Sequence, residues 1–453
     1  MIFSVPRNAV VNLAWTTSSF GWSQATRLLN NVILARLLAP PLFGLMVIVN
    51  TIRTGVELLS DVGIAQNIIS HRSGATRDFL DTAWTLQMLR GVALGAVCFL
   101  SAGALARLFD HPELTRVLPV AALFFIFSGF DSAGRSLLQK QMSVPRLSLF
   151  EVCVSTLSLI VHVVLALITP TIWALILGSV ITAGIVLVAS FMLVPSLRHR
   201  VMLDRATVRE VLHFGRWIFL SSLIYFAAMN FDRLYFARQI PLAALGIYGI
   251  ARTLSDTVTS LVSRAGGMVL FPMVAASQME PMQLRRRLLR ARRFVLLFGA
   301  AGLALFVSLS DRIVALLYDA RYQAAGTYLP ILLLGVWFGL LCTINESILT
   351  GMRRPAPQAI ANLFKFATFL VGVPIAFAFG GLPAAILVLS GGEGVRYATL
   401  WAMGRKAHVA FGRDDAALTL IFLVLILLIR GLLHLAGVTG GIDLIFPWLA
   451  YLR

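Results

Sequence analysis

Fourteen apolar stretches follow one another along this chain, each near the roughly 20 residues an α-helix needs to cross a bilayer. They fall near 9–38, 43–69, 80–106, 115–138, 147–168, 172–194, 215–238, 244–275, 294–317, 326–350, 358–379, 383–403, 416–436 and 441–452, the last short and interrupted by Pro447. The expected fold is an all-α integral membrane protein of about 14 transmembrane helices. Composition agrees: 58% of the 453 residues are hydrophobic, beyond what a soluble domain carries. The first stretch is too long for a cleavable signal peptide, carries Arg27 and is followed at once by another span.

Charge then orients the chain. The net charge of +18, from 38 Lys and Arg against 20 Asp and Glu, would suggest nucleic acid in a soluble protein. Here the basic residues sit in alternate short connections, such as Arg72 and Arg77, Arg198 and Arg200, Arg353 and Arg354. That bias predicts both termini on the cytoplasmic side, with anionic lipid rather than nucleic acid as the basic face's partner. The two longest inside connections, 195–214 and 283–293, read as helices lying in the interface. No P-loop, HExxH, DxD pair or Cys and His cluster occurs, and the outer connections near 107–116 and 310–325 are short. These features argue against an enzyme and call for no cofactor and no metal. Cys98, Cys153 and Cys342 are expected as small core residues.

The hairpin from Phe20 to Ile69 breaks the apolar rule. It carries Arg27, Arg36, Arg53, Glu57 and Asp61 where a central charge costs about 2.5 to 3.5 kcal/mol unless it faces a wet cavity or a partner. Ser23, Gln24, Arg27, Asn30 and Asn31 share one helix face, and Asn50, Arg53, Thr54, Glu57 and Asp61 repeat the device on the next helix. The spacing also allows a plain in-helix pair between Arg53 and Glu57.

The chain repeats itself. Ala35-Arg36 and Gly44 are echoed by Ala237-Arg238 and Gly246, both 202 residues later, and Leu118-Pro119 is echoed by Leu329-Pro330. Two pseudo-symmetric six-helix lobes in the same orientation follow, expected as 1–200 and 201–405, with an accessory hairpin over 406–453 and substrate between the lobes. The second half again carries charges in apolar spans: Asp232, Arg233, Arg252 and Asp256, then Glu346, Lys365, Glu393 and Arg396. Gly391, Gly392 and Gly394 beside the last pair predict either a bend or close helix packing.

The run Arg27 to Asn31, then Ile33-Leu-Ala-Arg36-Leu-Leu, Phe43-Gly44 and Leu58-Leu-Ser-Asp61-Val-Gly63-Ile-Ala resembles the first two helices of the multidrug/oligosaccharidyl-lipid/polysaccharide exporter superfamily. Within it, the chain is similar to the Wzx-like oligosaccharide flippases. The resemblance implies a MATE-like fold that alternates access and passes an undecaprenyl-diphosphate-linked oligosaccharide to the periplasmic leaflet for polysaccharide synthesis. It implies diphosphate binding by Arg27, Arg53 and Arg252, with Arg233 beside them, because forked guanidinium donors match phosphate oxygens. Glu57, Asp61, Asp232, Asp256, Glu346, Lys365, Glu393 and Arg396 are the gate or coupling-ion candidates, for H+ or Na+. A polysaccharide polymerase and chain-length proteins are the implied partners. A drug or metabolite antiporter on the same fold is the alternative, disfavoured by the cationic excess, and a membrane polymerase ranks below it.

Overall fold

A computed structural model describes residues 7–58, 60, 63–275, 281–352 and 356–438. Among these residues the regular structure is helical: α1 (Arg7–Leu37), α2 (Pro40–Leu58), α3 (Ile64–Ser70), α4 (Arg77–Phe109), α5 (Leu114–Ala121), α6 (Leu123–Gly129), α7 (Gly134–Lys140), α8 (Val144–Ile168) and α9 (Ile172–Leu193). They continue as α10 (Arg205–Gln239), α11 (Leu242–Ala275), α12 (Pro281–Ser308), α13 (Ser310–Leu317), α14 (Ala325–Gly351), α15 (Ala356–Lys406) and α16 (Gly412–Leu435). The first thirteen predicted spans fall on these helices, and the stretch 441–452 lies outside the described residues. By length and apolarity eight of the described helices qualify as membrane spans, or nine if the pair Leu114–Gly129 and Gly134–Lys140, bent by 50°, is one. Helices α1, α10 and α11 are long enough but carry the charges singled out above.

Burial is arranged for lipid rather than water. Phe379 is 90% exposed, Leu435 85% and Leu100 79%, an outward display of apolar bulk that water would not tolerate. Helix–helix contact instead uses small or polar residues: α9 buries Ala174, Gly178, Ala183 and Ser190, and α8 buries Ser148, His162 and Ala166. Cys98 and Cys342 are buried as expected, whereas Cys153 is exposed on α8 and is not a core residue.

The chain divides into two compact units, Met1–Phe226 with Arg233–Gly246, and Ala227–Asp232 with Ile247–Arg453. In the first, α1 packs along α8, where Trp22 Nε1 donates to Thr156 Oγ1 at 2.9 Å, and α4 packs on α5 and α6. Gly44 of α2 meets the Leu242 carbonyl, and Gly246 of α11 meets the Pro40 carbonyl, so closely that neither glycine has room for a Cβ. An offset of 202 relates 40 to 242 and 44 to 246, so the duplicated marker contacts its own copy reciprocally. Pro119 inside α5 and Pro330 inside α14 preserve the second marker.

The stretch after α9 corrects one expectation. Residues 205–214 are not a separate interfacial helix but the opening turns of α10, and 283–293 likewise belong to α12. Gly215 at the first joint stands alone and without a proline, so it does not end the helix, and Asp204 caps α10 by accepting from Thr207 N–H at 2.8 Å. Hydrogen bonds from Thr207 hold the Asp204 carboxyl below the usual range. Before the cap, the chain runs along α4 as a strap. The N–H groups of Arg200, Met202 and Asp204 donate to Asp81 Oδ1, Thr85 Oγ1 and Thr82 Oγ1 at 3.2, 3.0 and 3.3 Å. His199 is stacked on Trp84 with ring centres 5.1 Å apart, and its Nε2 accepts the Ala133 N–H at 3.3 Å. Burial holds this imidazole below the usual histidine range, against the opposing pull of Asp81.

In the second unit α14 packs along α15, and α12 along α16. Two buried arginines fasten α16: Arg292 pairs with Asp415, and Arg430 grips Asp311 with both terminal nitrogens, at 2.9 and 3.0 Å. Helix α15 covers two predicted spans, 358–379 and 383–403, joined at Gly381, whose φ of 64° only glycine adopts readily. The break thus falls at Gly381 and not at the 391–394 cluster. There Gly392 lies against the Phe369 ring, so that glycine serves packing.

Candidate functional site

In the first unit the predicted residues are spread over α1 and α2. Arg27 is exposed on α1, where Gln24 Oε1 and Asn30 Oδ1, on the same face, are buried without a hydrogen-bond partner. On α2, Arg53 is half-buried with its guanidinium carbon 4.4 Å from the centre of the Phe124 ring, a cation–π contact rather than a plain pair. Glu57 is exposed one turn on, and its carbonyl accepts from Arg90 Nη2 at 2.7 Å. Asp61 lies outside the described residues. Arg233, though next to Asp232 in sequence, groups with this unit and is half-buried on α10.

Sequence reasoning missed the feature that gathers most polar groups here. A cavity of about 390 Å³ is lined by Glu57, Gln66, Gln87, Arg90, Asp131 and Arg135 among others. Its wall is the break between α6 and α7. There Gln87 Nε2 donates to the carbonyls of Ser128 and Asp131, both at 3.1 Å, and Trp84 Nε1 to that of Phe130 at 3.3 Å. The signal was available: Arg90 and Asp131 are charges inside apolar spans, like those of the first hairpin.

In the second unit the predicted charges come together in two groups. Asp232 is buried and accepts a hydrogen bond from Tyr248. Arg252 Nε stands 3.5 Å from Asp232 Oδ2 and 3.4 Å from Asp256 Oδ1, held between two acids by charge, since this nitrogen makes no directed hydrogen bond. The other group joins α14 to both arms of α15. Lys365 donates to Glu393 Oε1, and Arg396 bridges Glu393 Oε2 at 3.2 Å and Glu346 Oε1 at 2.6 Å. Charges so far from water persist only when paired in this way. A larger cavity, about 960 Å³, runs along α14, α15 and α16 past Phe338, Trp401 and Leu423, and is mainly apolar.

Long helices with outward apolar faces, inner charges and a repeated marker define a multipass membrane protein. The fold is shared with solved transporters. A lipid II flippase MurJ in an inward closed conformation superposes at a TM-score of 0.78 and 12% identity, covering 95% of each chain. An inward-facing multidrug resistance MATE transporter of the MOP superfamily gives 0.64 at 14% identity, over 88% of this chain and 95% of its own. A family model described as polysaccharide biosynthesis protein matches residues 33–327, and the chain belongs to that family. Among curated relatives, the lipopolysaccharide biosynthesis protein WzxC of Escherichia coli is 24% identical over 80% of this chain and 73% of its own. The teichuronic acid biosynthesis protein TuaB of Bacillus subtilis is 23% identical over 66% of this chain and 62% of its own.

Proposed function

We propose that this protein is a flippase for undecaprenyl-diphosphate-linked oligosaccharide, moving it by alternating access from the cytoplasmic to the periplasmic leaflet of the bacterial inner membrane. Both of its termini lie in the cytoplasm. The observation that carries the reading is the presence of arginines inside long apolar helices, Arg53 against an aromatic ring and Arg252 between two acids. Family membership supports it. A diphosphate needs fixed forked cations, and Arg27, Arg53, Arg252 and Arg233 supply them. Asp232 and Asp256 hold Arg252 until phosphate oxygens replace them. Glu57, Asp61 and Glu346 are the candidates for a coupling proton or Na+, with Lys365, Glu393 and Arg396 closing the gate. A polymerase and chain-length proteins take the delivered glycan onward.

Replacing Arg27, Arg53 or Arg252 by Ala abolishes surface polysaccharide while the protein remains in the membrane at normal level. Immunoblots of membranes beside polysaccharide extraction check this, and normal export from all three variants removes the cationic site. The likeness to a MATE transporter favours a second reading, efflux of small organic compounds. Drug resistance without any glycan phenotype in a deletion strain selects it.

A further inference from the structure

The diphosphate reading has no use for the cavity walled by α2, α3, α4, α6 and α7. A diphosphate does not suit it, because Glu57 would repel the anion, and a bare metal cation does not, because Arg90 and Arg135 share the same wall. A mixed lining of carboxylates, guanidinium groups, amides and hydroxyls instead matches a neutral ligand that both donates and accepts hydrogen bonds at many points. Its volume of about 390 Å³ lies in the lower part of the small-ligand range.

One atom asks for a donor. Asp131 Oδ1 is buried with no hydrogen-bond partner, although every main-chain carbonyl from Phe130 to Asp131 is satisfied by α4. An orphaned buried acceptor is costly and needs an explanation. The close crossing of Gly91 and Gly129, where a Cβ on either would strike the other backbone, brings α4 and α6 together under this atom, and Phe125 supplies an apolar wall.

We propose that this cavity is a saccharide subsite that takes one pyranose residue of the cargo glycan. A sugar hydroxyl donates to Asp131 Oδ1 and another to Glu57, while Arg90 and Gln66 donate to ring and hydroxyl oxygens. The lining takes the last turn of α2, the first turns of α3 and α7 and the middle of α4. This assignment rests on the flippase reading and adds the part of the cargo that the arginines leave unread.

The test is saturation-transfer NMR on the full chain in nanodiscs, with methyl glycosides of glucose, galactose, N-acetylglucosamine and glucuronic acid as probes. At least one glycoside binds, and Asp131→Ala weakens it about tenfold, the usual effect of losing a hydrogen bond. Ser136→Phe, which fills the cavity without removing an observed hydrogen bond, does the same and guards against a misfolded first variant. No binding by any glycoside, or binding unchanged in both variants, overturns the subsite. Export is scored separately. Variants that lose glycoside binding yet export normally overturn the subsite and leave the flippase. Glycoside binding by a protein whose gene deletion leaves surface polysaccharide intact overturns the flippase and leaves a sugar site.

Discussion

Removing one member of the Lys365 and Glu393 pair strands a charge among apolar helices. Lys365 is 3% exposed, with its ammonium 5.4 Å from the centre of the Phe369 ring, so water cannot replace the lost partner. Lys365→Met or Glu393→Gln alone is expected to destabilise the protein by about 3 to 5 kcal/mol. The double variant Lys365→Met with Glu393→Gln falls by less than the sum, because Arg396 retains Glu346. Thermal unfolding of the purified protein checks this, and additive losses would show that the two side chains act independently. The charges themselves were legible in the sequence, because an ionised group in an apolar span demands a partner. Which partner was not legible: Lys365 and Glu393 are 28 residues apart, and only the turn at Gly381 brings them into register. Arg90 and Asp131 escaped notice because the charge rule was applied to the first hairpin and its echoes, and not to every span.

The strap before α10 shows a different limit. Its sequence, Arg198 to Asp204, reads as a basic linker, and nothing in it announces that alternate N–H groups will bond to buried side chains of α4. Those partners, Asp81, Thr82 and Thr85, are short polar residues in an apolar helix, satisfied only in three dimensions. The strap also carries a pH dependence. His199 is held neutral in the folded protein, since its Nε2 must accept from Ala133, and its folded pKa lies below the unfolded value near 6.5. Above that value both states are neutral and stability is unaffected. Below it the unfolded chain binds the extra proton first, so stability is lost as pH falls. Melting temperatures between pH 7.5 and 5.5 are expected to drop more in the wild type than in His199→Gln, which keeps an acceptor without a titrating ring. Equal slopes would remove His199 as the cause.

Among the described residues most helices were readable from apolar length, since lipid allows the backbone few alternatives, while α1, α10 and α11 were readable by length despite their charges. The continuity of α10 and α12 into their basic first turns was not, because a surface helix and a protruding helix end share one pattern. The repeated marker was visible through a fixed offset, and the structure brings its two copies together at the Gly44 and Gly246 crossing. Either Gly44→Leu or Gly246→Leu drives a side chain into the facing carbonyl and is expected to prevent accumulation of folded protein. Fluorescence-detected size exclusion of tagged variants reads this directly, and a monodisperse peak at wild-type height would contradict it. That crossing is reciprocal: position 44 meets 242 as 246 meets 40. A contact of this form is self-complementary, the kind that joins identical subunits about a twofold axis. Each copy of the marker therefore supplies both a glycine and a carbonyl to the contact, so the two glycine variants are expected to fail to the same degree.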